Sequence, residues 1–508
     1  MRVAENLGRW EAILTEHERR RAFAASMDGT DRLAKQHAAG KLDTRQRAAA
    51  LFDDGIFTEI GAFAAVLSEG GDTPAPADGL IAGFGHVDGR PVLAGIEDFT
   101  VLAGSIGDAG ADKRYRLAQL AAQEKLPLIF MLEGAGHRLT NSHAGRSPND
   151  LQALAELSGQ VPMLSLVMGA SAGHGALTAM LSDFVVMTEA AAMFAAGPPL
   201  VKGAIGEVVT KEELGGPDVH VATSGVAHNR VADDQAAIAL ARRYLSYFPS
   251  NAWGRAAVQA GPDACPRRIE EMLTLVDPDP RIPFAMRGVL ERLVDNDSLL
   301  EIQPQFGKAL ITALARIGGH SVAILANDPS VGAGAIDANA ADKAVHFLDV
   351  ANAFHLPVIF LTDNPGVMAG SAAEKSGALR RAARMFVAQH RLRVPKIHVT
   401  LRKAFGFGSS IMAMNPFDGQ TLSLAFPAIT LGAMPAVSGG EAAKLDPATR
   451  ARIAAEQAGG AYHLADKMAF DDVIDPRDLR NALLQGLAMM AARMELPCGP
   501  AKVGGVTP

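Results

Sequence analysis

One stretch of this chain is written twice. Residues 111–130 read ADKRYRLAQLAAQEKLPLIF, and 230 positions later residues 341–360 read ADKAVHFLDVANAFHLPVIF. A second pair, VPMLSLVMGASAGHG from Val161 and VPKIHVTLRKAFGFG from Val394, is offset by 233, so about three residues entered the connection between. Each copy has the same order: ADK, an amphipathic run, LP with an apolar pair, a loop, VP, a strand-like run and a Gly-x-Gly. A repeat of this length means two similar domains, because solenoid periods are roughly 20–50 residues. Matching glycine turns imply two matching sites, for two ligands that must meet.

The 508 residues are enough for two large cores. The expected division is an N-terminal domain over 1–250, a Pro-rich linker over 251–283 and a C-terminal domain over 284–508. Within the first copy, GRPVLAG follows a hairpin turn at Asp88-Gly89, and a helix is expected from about Ala109 to Lys125. LPLIFMLEG reads as a buried parallel strand, followed by a helix from about Asn149 to Gly159, a strand over 161–168, a glycine turn and a helix over 175–182. Strand and helix alternate, so each half is α/β with crossover connections. Residues 1–45 read as solvated helices, and 62–79 as loop.

Composition excludes several classes. A net charge of −7 opposes a nucleic-acid surface, which needs clustered Lys and Arg. Two cysteines, Cys265 and Cys498, cannot supply a four-cysteine zinc site or a disulfide framework, and a reducing cytoplasm is expected. The uncharged stretches 157–182 and 419–440 are broken by Gly169, Gly173 and Gly175 and by Pro427 and Pro435, so they read as strand, turn and helix, not as membrane spans. His86, His137, His143 and His174 match no metal-ligand spacing.

The candidate chemistry lies in the glycine turns. Gly169-Ala-Ser-Ala-Gly173 fits the Gly-x-Ser-x-Gly of a hydrolase, with Ser171 as nucleophile. The repeat opposes this: position 404 is alanine, while Gly173 and Gly175 recur as Gly406 and Gly408. Duplication kept the glycines and not the hydroxyl. Glycine turns at a helix start offer unpaired backbone N–H groups, which form an oxyanion hole when aimed at a carbonyl. A second loop, Glu133-Gly134-Ala135-Gly136-His137-Arg138, has its counterpart at Asp363-Asn364-Pro365-Gly366-Val367. His137 and Arg138 are either part of a site or a solvated loop. Lys113 and Lys343 either pair with acids on a surface helix or contact a phosphate-bearing ligand.

These residues resemble the carboxyltransferase β subunit of biotin-dependent acyl-CoA carboxylases, of the propionyl-CoA and methylcrotonyl-CoA carboxylase type. The resemblance covers roughly residues 35–480 and rests on GKLDTRQRAAALFDDGIFTEI, EDFTVLAGSIG, FAAGPPLVKGAIGEVVTKEELGG, TSGVAH and DNPGVMAGSAAEKSGALRRAARM, in that order. It implies an α/β fold of two tandem crotonase-like (β-β-α superhelix) domains, assembled as oligomers, commonly hexamers. It implies acyl-CoA bound by the N domain and carboxybiotin by the C domain of a neighbour. The implied oxyanion donors are the N–H groups of Gly173 and His174, assisted by Gly134 and Ala135, and those of Phe407 and Gly408. In that chemistry CO2 is released from carboxybiotin, the ureido nitrogen takes the α-proton, and the enolate attacks CO2.

Departures accompany the likeness. His174 stands where the family has the second glycine of its first turn, and LEGAGHR replaces Asp-Ser-Gly-Gly-Ala-Arg. AFGFGSS places Ser410 where the family has an Asp linked to acyl-chain choice. No Ala-Met-Lys-Met motif occurs, so biotin is expected on a biotin carboxylase/carrier α subunit, and no metal is expected in this chain. Three other readings remain: an acyl-CoA decarboxylase of malonyl or glutaconyl type, a serine hydrolase and a non-catalytic scaffold.

Overall fold

The computed structural model describes residues 2–27, 29–64, 75–138, 150–259, 261–501 and 506. The expected loop over 62–79 therefore falls largely outside the described residues, as do Asn149 and His143. The chain divides into two compact units, one through Ser246 and one from Tyr247 onward.

Each unit is built on one eight-stranded sheet. In the first, β1 (Phe57–Ile60), β2 (Leu80–Val87), β3 (Arg90–Glu97), β4 (Leu128–Gly134), β5 (Met163–Ala172), β6 (Phe184–Thr188) and β8 (Asn229–Val231) lie side by side in that order, and β7 (Ala192–Phe194) pairs with β5. The second repeats the plan. Its strands β9 (Leu300–Ile302), β10 (Leu310–Ile317), β11 (His320–Asn327), β12 (Val358–Asn364), β13 (Lys396–Phe405), β14 (Leu422–Ala425) and β16 (Asp472–Val473) follow one order, with β15 (Thr430–Gly432) on β13. The first three strands are antiparallel in each unit and the rest parallel.

The register is duplicated too. Leu128 pairs with Met163, and Val358 with Lys396. Both ladders shift at the same point, between Leu132 and Gly134 and between Thr362 and Asn364. Such an irregularity at a strand end re-aims the chain beyond it. All seven residues of β4 are buried, which explains the apolar run from Leu128 to Leu132; crossover helices cover parallel sheets on both faces. Helix Asp108–Glu124 buries Gly110, Lys113, Arg114, Leu117, Ala118 and Ala121, one stripe at helical spacing.

The hairpin turn is where the sequence put it: Asp88 and Gly89 have φ of 51° and 74°, and their N–H groups donate to the Asp53 carboxylate at 3.2 and 2.9 Å. The strand expected over 161–168 runs on to Ala172, because β7 pairs with residues 170–172 and carries the ladder through the glycines. Segment 251–283 is no free linker. Ile269, Met272 and Val276 enter the second core beside Val289 and Leu290. Its carbonyls are captured by buried arginines: Arg480 binds those of Asp263 and Cys265, and Arg402 those of Asp277, Asp279 and Ile282. Proline removes donors, and these guanidinium groups satisfy the acceptors that remain. The first helix, Arg2–Ala25, is not evenly polar; it exposes Leu7, Trp10, Ile13 and Leu14.

Candidate functional site

In the first unit β5 ends at Ala172, and Gly173 turns the chain with φ 58°, which strains any side chain. Helix His174–Met180 follows. The Gly173 N–H donates to the Phe194 carbonyl at 3.0 Å. It is therefore committed to β7, and the expectation that it is an oxyanion donor is corrected. His174 and Gly175 begin the helix, where no earlier helical carbonyl reaches their N–H groups. Neither N–H has a partner among the described residues. They are also the repeat equivalents of Phe407 and Gly408.

The loop after β4 is committed as well. The Ala135 N–H donates to the Ala103 carbonyl at 3.1 Å, so Ala135 gives no donor to a ligand. Gly134 pairs with Ser171, and a side chain there would collide with the Gly104 carbonyl and with Glu97 Oε2. Gly134 therefore acts through close packing, while Ala135 is exposed. Glu133 is held by buried Arg47 at 2.6 Å and by Lys41. Arg138 is not solvated; it pairs with Asp78 and donates to Ser105 Oγ at 3.0 Å.

Sequence reading missed one constellation. His174 Nε2 lies 2.7 Å from Asp150 Oδ1, and His174 Nδ1 lies 3.1 Å from Nε2 of the exposed His137. The two rings meet edge to face, with centroids 4.7 Å apart. The Asp150 carboxyl sits below its ordinary range: burial pushes it up, but the hydrogen bond from His174 and the charge of Arg114 outweigh that. His137 is pushed down, by burial first and then by His174 and Arg114, against the pull of Asp150. His137 and His174 each replace a small residue of the resembled family, and that was the available signal. Asp150, 24 positions before His174, gave none.

In the second unit β13 ends at Phe405, Gly406 has φ 55°, and helix Gly406–Ile411 begins. Phe407 is 42% exposed and its ring lies 5.4 Å from that of Phe386. Gly408 is buried; a Cβ there would come within 2.5 Å of Asn364 Oδ1 and Gly366 Cα. Ser410 is exposed on the same helix, and its carbonyl accepts from Gln389 Nε2 at 3.1 Å. The structure brings Phe407, Gly408 and Ser410 onto one short helix, as the sequence placed them.

Lys113 differs from both expectations. It is buried, and its ammonium donates to the carbonyls of Ala77 and Leu80 at 2.7 and 2.8 Å. A substrate phosphate needs an accessible ammonium, so Lys113 is structural. Lys343 does the same for Gln303 and Phe306, at 3.3 and 2.7 Å. Burial pushes Lys113 down to about 8 and Lys343 to about 7. Ser171 is fully buried, and its Oγ has no partner among the described residues. A nucleophile needs an acceptor imidazole, and His174 is engaged elsewhere. A cleft of about 440 Å³ also went unread: Arg32, Lys35, Lys41 and Phe99 line it beside Ala103 and Glu133. Among the described residues no group of three or more His, Cys, Asp or Glu could hold a metal, and no helix is long and apolar enough to cross a membrane.

Residues 35–501 match the carboxyl transferase domain. The chain is 35% identical over 497 residues to the methylmalonyl-CoA carboxyltransferase 12S subunit of Propionibacterium freudenreichii subsp. shermanii, covering 94% of each. It is 36% identical over 480 residues to the methylmalonyl-CoA decarboxylase subunit alpha of Veillonella parvula, covering 92% of this chain and 93% of the relative. The crystal structure of transcarboxylase 12S, a hexamer with methylmalonyl-CoA and methylmalonic acid bound, superposes with a TM-score of 0.89 at 33% identity, covering 98% and 99%. The two-domain crotonase-like architecture implied by the resemblance is the one present.

Proposed function

This chain belongs to the carboxyl transferase domain family, and on that premise we propose that it is the carboxyltransferase subunit of an acyl-CoA carboxylase. It moves a carboxyl group from carboxybiotin, carried on a separate biotinylated subunit, to the α-carbon, or vinylogous γ-carbon, of an acyl-CoA. The observation that carries this reading is the duplicated turn: His174 and Gly175 in one unit, Phe407 and Gly408 in the other, each pair in the first turn of a short helix and directly after a positive-φ glycine. One chain thus offers two oxyanion holes, one for a thioester and one for a second carbonyl ligand.

The first unit takes the acyl-CoA. The cleft lined by Arg32, Lys35 and Lys41 suits its phosphates, and the N–H groups of His174 and Gly175 hold the thioester oxygen as it gains charge. Gly134 gives the loop its close approach, and the exposed Ala135 lies next to it on the substrate side. The second unit takes the biotin head: the N–H groups of Phe407 and Gly408 face its ureido oxygen, with Ser410 exposed beside them. Carboxybiotin supplies CO2 and a ureido nitrogen able to take a proton. The partners are a biotin carboxylase/carrier α subunit and further copies of this chain, with the exposed Leu7, Trp10, Ile13 and Leu14 available for self-association. The expected compartment is the cytoplasm, and the expected oligomer a hexamer.

A carboxylation assay over a panel of acyl-CoA thioesters, with a biotinylated partner present, tests the proposal. Labelled carboxylate appearing on at least one thioester is expected; none on any overturns it. The likeness to a decarboxylase subunit favours one second reading, the reverse direction on a malonyl-type thioester. Running the same assay from the carboxylated thioester separates the two.

A further inference from the structure

The imidazole pair beside the first turn has a direction built into it. The Asp150 carboxylate can only accept hydrogen bonds when ionised, and its carboxyl lies below the ordinary range. His174 Nε2, at 2.7 and 2.9 Å from its two oxygens, must then carry a proton. In the neutral ring, His174 Nδ1 is left as an acceptor. His137 Nε2, 3.1 Å away, donates to it. His137 Nδ1 therefore keeps a free lone pair, and it has no protein partner among the described residues. The side chains of His174 and Asp150 are 12% and 6% exposed, whereas His137 is exposed. The chain runs from a buried carboxylate to an open basic nitrogen. His174 also supplies, from its own backbone, one of the open N–H donors.

Resting on the acyl-CoA reading of this unit, we infer that His137 is a protein base for the α-carbon of the bound thioester, positioned by His174 and Asp150. The activity it confers is enolisation of acyl-CoA without biotin. His137 Nδ1 takes the α-proton. The C–H electron pair becomes the C=C bond of the enolate, and the thioester C=O π pair moves onto oxygen, held by the N–H groups of His174 and Gly175. The new imidazolium passes charge through His137 Nε2 toward His174 and is balanced by Asp150. Return of a proton from Nδ1 to carbon closes the cycle, so in heavy water the net result is exchange of hydrogen for deuterium. The charged groups that act on His137 are His174 and Asp150, and Arg114, which lies 4.0 Å from Asp150. The neighbouring Arg138 is spent on Asp78.

The test incubates the purified full chain with propionyl-CoA in heavy water, without biotin or a partner, and follows α-deuteration by mass spectrometry. Binding of propionyl-CoA is measured in parallel by calorimetry. Wild type is expected to bind and to exchange at least tenfold faster than His137→Gln at equal binding. The wild-type rate should rise with pH and level off, with its midpoint below the ordinary imidazole value. His174→Phe keeps the backbone N–H and breaks the relay; it should exchange more slowly and move that midpoint. Binding with equal exchange in wild type and His137→Gln overturns the inference and leaves the acyl-CoA reading standing. An unchanged rate and pH profile in His174→Phe overturns the relay. Failure of wild type to bind any acyl-CoA overturns both the inference and the reading beneath it.

Discussion

At the scale of single residues, burial separates chemistry from packing. Ser171 has the sequence context of a nucleophile, yet its hydroxyl is fully buried and has no partner among the described residues, 2.6 Å from where a Cβ on Gly175 would stand. An unpaired buried hydroxyl costs roughly 1–3 kcal/mol. Ser171→Ala is therefore expected to melt no lower than wild type and to keep carboxyltransferase turnover within about tenfold, or ~1.4 kcal/mol of barrier. A loss of several orders of magnitude in a folded variant would restore the hydrolase reading. Asp183 gives a pH prediction. Burial pushes its carboxyl up to about 7, while Oδ2 accepts the Met163 N–H at 2.7 Å. The folded chain holds this proton longer than the unfolded one, so this group's contribution to stability is present at low pH and falls as pH rises from about 4 to about 7. Asp183→Asn keeps the acceptor and cannot ionise. Its stability relative to wild type should rise by roughly 1 kcal/mol or more between pH 5 and pH 7.5 in urea melts. A constant difference across that range would refute the assignment.

At the scale of elements, the two turns differ in what a side chain can reach. Phe407 is the second residue of its helix and points outward, whereas Gly408 packs against Asn364 and Gly366. Position 407 therefore allows the N–H to be deleted without crowding the core. Phe407→Pro removes the donor and is tolerated near a helix start, while Phe407→Ala keeps it. Transfer from carboxybiotin should fall about 100- to 1000-fold in the proline variant and only a few-fold in the alanine variant, with acyl-CoA binding intact in both. Equal rates in the two variants would make this turn purely structural. The same turns mark how far sequence reached. Offsets of 230 and 233 were enough to predict the two sheets, the strand-end loops and the glycine turns, because spacing along the chain fixes them. The identity of the open donors was misread by one residue in the first unit. Whether Gly173 is free depends on Phe194, a carbonyl on a strand 21 positions away, and no local pattern encodes that bond. Lys113 was misread for the same reason: its amphipathic run looked like a surface helix, but the carbonyls of Ala77 and Leu80 lie against it. The 251–283 segment read as a linker because its prolines were visible and the arginines that hold its carbonyls, Arg402 and Arg480, were remote in sequence.

At the scale of the whole molecule, duplication preserved architecture and let the chemistry diverge. Each unit keeps the sheet order, the strand-end irregularity, a lysine buried on two carbonyls and a positive-φ glycine before a short helix. The residue after that glycine is His174 in one unit and Phe407 in the other, a hydrogen-bonded imidazole against an exposed aromatic. A fold kept twice while its two turns change character fits a protein that must treat two unlike ligands. That division has a consequence for the isolated chain. On the proposed reading it offers two places where oxygen can gain charge, and the carboxyl group is brought to it on a partner's biotin, in keeping with the lack of an Ala-Met-Lys-Met motif in the 508 residues. The purified protein, given labelled bicarbonate, ATP and an acyl-CoA, should therefore form no labelled carboxylate above background. Adding a biotinylated carrier with its carboxylase should start incorporation. Scintillation counting of acid-stable label checks both arms, and fixation by the chain alone would mean that it activates bicarbonate itself and that the proposed division between two subunits is wrong.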